Sequence, residues 1–97
     1  MPTYLMLFRF TPHGMENIKQ SPARIDAIKK DFQAVGAQVK GVYLVMGQYN
    51  TVLLAEAPND ETTAKLVLAI GAKGNVQTET LRAFTEEEYR KIVAALP

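Results

Sequence analysis

A chain of 97 residues has room for one hydrophobic core, and 47% hydrophobic with 22% charged residues is the composition of a folded globular domain, not of a disordered segment. Eleven Lys and Arg against ten Asp and Glu leave a formal charge of +1, without the basic block that gripping a phosphate backbone requires, so nucleic acid is not an expected partner. The absence of cysteine excludes disulfides, thiolate metal sites and thiol catalysis together.

The first apolar run, Tyr4-Leu5-Met6-Leu7-Phe8, has no cation before it, stops at Arg9 and is not followed by a small-residue cleavage site, so it does not read as a signal peptide. Residues 3–10 read instead as a strand closed by the turn Thr11-Pro12-His13-Gly14. Ser21-Pro22 then offers an N-cap and a proline at the first helical position. Ile25, Ile28, Phe32 and Val35 follow at helical spacing, and Gly36 ends this first helix.

Val39 and Val42 to Val45 form a second strand, joined through Gly47-Gln48-Tyr49-Asn50 to a third over Thr51 to Ala57. Pro58-Asn59-Asp60 breaks that strand and caps a second helix that contains Ala64, Val67, Leu68 and Ile70 and ends at Gly71 or Gly74; with Leu66 and Ala69 it is apolar nearly all round, as expected of a helix buried on more than one side. A fourth strand covers Val76 to Phe84. The last helix opens on the capping box Thr85-Glu86-Glu87-Glu88 and carries the stripe Tyr89, Ile92, Val93 and Leu96. The longest apolar run outside the first strand, Leu66 to Ile70, is far short of the roughly 20 residues that span a bilayer. A cytoplasmic protein without membrane contact is expected.

The order βαββαβ plus a C-terminal helix predicts an α+β, ferredoxin-like antiparallel sheet with helices on one face, as a single domain over residues 1–97. A strand covered on one face alternates apolar with polar residues. The first strand instead places Tyr4, Met6, Phe8 and Phe10 on one side and Leu5 and Leu7 on the other. Two helices cover one face, so the second face needs its own cover, either the C-terminal helix or a second copy of the chain. A homo-oligomer packed through its sheet, at least a dimer, is the expectation.

In this topology the end of the first strand, the hairpin between the second and third, and the loop before the fourth share one rim. That rim gathers Arg9, His13 and Gly14, then Gly47, Gln48, Tyr49 and Asn50, then Lys73, Gly74, Asn75 and Gln77. Arg9 on a central strand needs an anionic or carbonyl partner, which makes Arg9, His13, Tyr49, Asn50 and Asn75 candidate ligand-binding residues. The glycines have an equally direct role as turn residues, Tyr49 as a packed aromatic and His13 as an exposed loop residue. One histidine without a converging carboxylate makes no metal site, and the only serine, Ser21, begins a helix, so neither a metal nor a cofactor is expected. The third strand has no aromatic on which RNA bases could stack.

With these residues placed, the chain resembles the GYD domain family along nearly its whole length. The resemblance rests on Pro2-Thr3-Tyr4, Phe10-Thr11 with Gly14, Asn17-Ile18-Lys19 with Ser21-Pro22, Gly41 and Tyr43, and Met46-Gly47 with Tyr49. It continues through Glu56-Ala57-Pro58, Gly74-Asn75-Val76, Thr78, and Thr80-Leu81-Arg82-Ala83-Phe84. It implies a fold similar to the dimeric α/β-barrel proteins. Asn50 stands where the family's name-giving motif has an acid, and an amide neither titrates near neutrality nor binds hard cations strongly. Three functions follow as expectations: an oligomeric domain binding a polar or anionic small ligand at the Arg9, Tyr49 and Asn75 end of the sheet; a cofactor-independent monooxygenase-like or isomerase-like enzyme in which His13 or Tyr49 handles protons; and a structural or partner-binding module.

Overall fold

The computed structural model describes residues 1–97. In order it has β1 (Thr3–Phe10), α1 (Pro12–Glu16), a 3-10 turn (Ile18–Gln20), α2 (Ser21–Ala34), β2 (Gln38–Leu44), β3 (Thr51–Glu56), α3 (Asp60–Ala72), β4 (Val76–Ala83) and α4 (Glu86–Ala94). The strands form one antiparallel sheet in the order β2-β3-β1-β4, which is the expected ferredoxin-like α+β topology with β1 and β3 central. No helix is long and apolar enough to cross a membrane.

Side-chain alternation divides the two faces. Tyr4, Met6 and Phe8 of β1 with Leu53 and Ala55 of β3 are buried beneath Ile28 and Phe32 of α2 and Leu66 and Ile70 of α3, and this layer is the core. Each large side chain so buried contributes about 1.5–3 kcal/mol. The Tyr4 hydroxyl donates to Asp60 Oδ1, tying the centre of the sheet to the start of α3. Burial first, and that bond second, hold the phenol above its ordinary value of 10.0. The fold therefore favours the neutral phenol, and this contribution is complete below the unfolded value and lost as pH rises through the folded one. Thermal melts should show stability falling above about pH 10, and Tyr4→Phe should remove that part of the decline.

The sequence reading differs from the structure in three places. Pro12 to Glu16 is a short helix and not a turn, because the Thr11 hydroxyl accepts from the Gly14 N–H and caps it. Ser21 is already helical (φ −56°, ψ −45°) and donates its N–H to the Ile18 carbonyl, so the 3-10 turn runs straight into α2 and Ser21 is not an extended cap. On α3 the inward face is Thr63, Leu66 and Ile70, while Ala64 and Leu68 point to solvent. Asn59 Oδ1 accepts from the Thr62 N–H and sets where the helix starts, and Thr63 satisfies its hydroxyl on the Asn59 carbonyl, which lets a polar residue take a core position.

The opposite face of the sheet is open. Register places Gly41, Leu54, Leu5 and Leu81 in one row across β2-β3-β1-β4, and Tyr43, Val52, Leu7 and Glu79 in the next. A Cβ at Gly41 would lie 3.1 Å from the Tyr43 ring, so this glycine gives the ring its seat on the face. The capping box at Thr85 and Glu88 forms as expected, but α4 buries none of its residues, and Tyr89, Ile92, Val93 and Leu96 all face solvent. Of the two covers expected for this face, the chain's own C-terminal helix does not supply one. The radius of gyration, 14.6 Å, exceeds the about 12.5 Å of a compact chain this long, in keeping with a helix that projects from the body.

Candidate functional site

The rim separates into two places. On the open face, Arg9 and Tyr49 come together with Gln77, Thr78 and Glu79 around a shallow depression. Arg9 Nε donates to the Gln48 carbonyl at 2.8 Å, and its guanidinium carbon lies 5.3 Å from the centre of the Tyr49 ring. The partner that Arg9 needs is thus supplied by the neighbouring hairpin. The Tyr49 hydroxyl donates to the Glu79 carboxylate, and that bond, ahead of desolvation, raises the phenol above 10.0. At neutral pH Tyr49 is a hydrogen-bond donor and not a base.

Glu79 corrects the sequence reading, which placed no carboxylate on this rim. Alternation along the fourth strand was the available signal, but only the register Leu7↔Glu79 shows that it meets Arg9 and Tyr49. His13 lies exposed on α1, and the bonds at this residue run through its backbone carbonyl, which accepts from Asn17 Nδ2 at 2.9 Å. No group of three His, Cys, Asp or Glu side chains converges where a metal could be held.

Asn75 does not join Arg9 and Tyr49. It lines a cavity on the helix side of the sheet, and its carbonyl accepts the Thr11 N–H at 3.1 Å. The Thr11 hydroxyl donates to the adjacent Gly74 carbonyl at 2.6 Å, and Gly14 packs directly on Asn75. Gly74 itself has φ +79°, where a side chain would be strained.

Asn50 has a structural role. Its Oδ1 accepts the Phe10 N–H at 2.9 Å and its own N–H donates to the Phe8 carbonyl at 2.8 Å, so it finishes the β1 edge just where β3 begins. A carboxylate offers the same acceptor, which is why Asn can stand where the motif has an acid. Asn50→Ala should cost about 1 kcal/mol in denaturant melts by orphaning the Phe10 N–H. Asn50→Asp should leave the midpoint nearly unchanged.

The model of the GYD domain matches residues 4–93. The chain belongs to the GYD domain family. This GYD domain is 33% identical over 84 residues to a Thermus thermophilus protein named glutamine synthetase and cystathionine beta-lyase binding protein, covering 86% of this chain and 88% of that one. The crystal structure of TTHA0845, also from Thermus thermophilus, is similar at 29% identity and a TM-score of 0.56, over 88% of this chain and 95% of that chain. The structure of FFRP-DM1 superposes with a TM-score of 0.61 over 87% of this chain and all of that one, at 19% identity, and shares the fold.

Proposed function

We propose that this GYD domain is a protein-binding module that acts as a self-assembled unit and docks on a metabolic enzyme. The observation that carries the reading is the pair of apolar surfaces the chain does not cover: the Leu5, Leu54 and Leu81 row of the sheet and the Tyr89, Ile92, Val93 and Leu96 stripe of α4. The sheet face suits a second copy, because an antiparallel sheet with apolar side chains on both faces is buried on both. The α4 stripe suits a groove on another protein, since an isolated nine-residue helix is marginal in water and gains its stability by docking. The name of the Thermus relative supports an enzyme as that partner.

Light scattering should show at least a dimer at micromolar concentration, and Leu81→Asp, at a site exposed in the protomer, should give a folded monomer. Calorimetric titration should detect binding to the glutamine synthetase or the cystathionine β-lyase of the same organism. Ile92→Asp combined with Val93→Asp should abolish that binding without changing the assembly. A stable wild-type monomer, or an intact assembly that binds neither enzyme, overturns the reading.

Binding of a polar or anionic ligand at Arg9 and Tyr49 has less support. Arg9 is already bonded to a carbonyl, Tyr49 to Glu79, and the Glu79 carboxylate repels an anion there. The enzyme alternative needs His13 or Tyr49 as a proton carrier, yet the two do not line one pocket and the Tyr49 proton is held more tightly than usual.

A further inference from the structure

A cavity of about 80 Å³ lies between the sheet and the helices, several times the roughly 10–15 Å³ that one water requires. Its walls are largely apolar, with Phe8, Phe10, Ile28 and Ile70 among them. Two cations, Arg24 and Lys73, also line it, and no carboxylate does. Arg24 is held by carbonyl oxygens only, Nη1 donating to Asn17 at 3.0 Å and Nη2 to Gly14 at 3.3 Å, so its charge is not neutralised. Lys73 has a single exposed partner, Asp31, at 3.7 Å.

The wall also contains Thr51, 7% exposed, whose hydroxyl is buried without a hydrogen-bond partner. Leaving such a group unpaired is unfavourable, and a ligand oxygen or water would relieve it.

We propose that this cavity is a binding site for a small monocarboxylate with a short aliphatic tail, its carboxylate at Arg24 and Lys73 and its tail among Phe8, Ile28 and Ile70. Apolar walls with a few convergent polar groups at one end are the pattern of small-molecule sites. The cations accept a carboxylate, whereas the lack of any acid in the lining leaves an α-ammonium without a partner, so the site selects the acid over the amino acid of equal size. This site is separate from the open sheet face and from α4, and stands whether or not those surfaces bind protein.

The test is a titration of the whole chain with 3-methylbutanoate, followed by backbone amide NMR, with leucine and 3-methylbutan-1-ol as controls. Expected are saturable shifts at Arg24, Thr51 and Val76 with the carboxylate at millimolar concentration, and at least tenfold weaker effects from both controls. Lys73→Gln, at an exposed position, should weaken binding severalfold in a protein of unchanged melting temperature. Thr51→Val should raise the melting temperature of the free protein by removing the orphaned hydroxyl. No shifts at these residues, equal binding of the alcohol and the acid, or shifts confined to Arg9 and Tyr49 would overturn the proposal, and none of those outcomes bears on assembly.

Discussion

Phe8→Asp is expected to leave the chain unfolded at room temperature. Phe8 is 1% exposed at the middle of β1, in the layer formed with Met6, Leu53 and Phe32. Removing a buried phenylalanine costs about 3–5 kcal/mol by itself. A carboxylate placed there would be buried among apolar side chains, with Arg24 and Lys73 only elsewhere in the wall of the neighbouring cavity, and burying the charge adds several kcal/mol more. Together these match or exceed the about 5–15 kcal/mol that holds a small domain folded. Circular dichroism of the variant should show no cooperative thermal transition. Leu81→Asp, also on the sheet but on its open face, should keep a cooperative transition, lowered only by the stabilisation that assembly contributes. If both variants melt alike, the division of the sheet into a buried and an open face is wrong.

Gly14→Ala is expected to be the most damaging single-methyl change in the chain. A Cβ at Gly14 would lie 2.0 Å from the Asn75 carbonyl oxygen and 2.9 Å from its carbon, and backbone on both sides leaves no flexible side chain to move. The segments must separate, and with them the Thr11 N–H bond to the Asn75 carbonyl, the Thr11 hydroxyl bond to Gly74 and the hold of Gly14 on Arg24. Overpacking of this kind costs about 1–3 kcal/mol, and the lost bonds add to it. Denaturant unfolding should show a midpoint loss larger than that of Asn50→Ala. At Gly47, where nothing lies within 4 Å, alanine meets only the strain of φ +124° and should be milder. A Gly14→Ala midpoint equal to wild type would mean that the notch is not tightly closed.

The Gly14 notch also bears on the cavity beneath the sheet. Arg24 is anchored by the Gly14 and Asn17 carbonyls, and Asn75 lines the same cavity, so the segments that meet at the notch also form its walls. The family resemblance read from Gly14 and from Gly74-Asn75 therefore has a packing explanation: two chain segments approach too closely for any side chain at the contact.

Local sequence determined the four strands, the three longer helices and their order, but not the short helix Pro12–Glu16 or the 3-10 turn after it. The alternation of Tyr4, Met6 and Phe8, the Asn59 cap and the Thr85 to Glu88 capping box are short-range signals, and each is in place. They suffice for the βαββαβ order and hence for the sheet topology, because few chain paths connect such elements without crossing. What lies across strands was decided only by the tertiary structure. Glu79 meets Tyr49 through the register of β1 against β4, and Arg9 finds its partner in a hairpin carbonyl that composition does not reveal. Asn75 shares a sheet end with Arg9 in the topology, yet it lines the helix-side cavity while Arg9 faces the open side, since Asn75 lies in the bend before β4, where strand alternation does not set a residue's direction. Whether α4 folds back over the sheet was equally beyond the sequence: its stripe shows that it needs a partner, and only the three-dimensional path of the chain shows that the partner is not its own sheet.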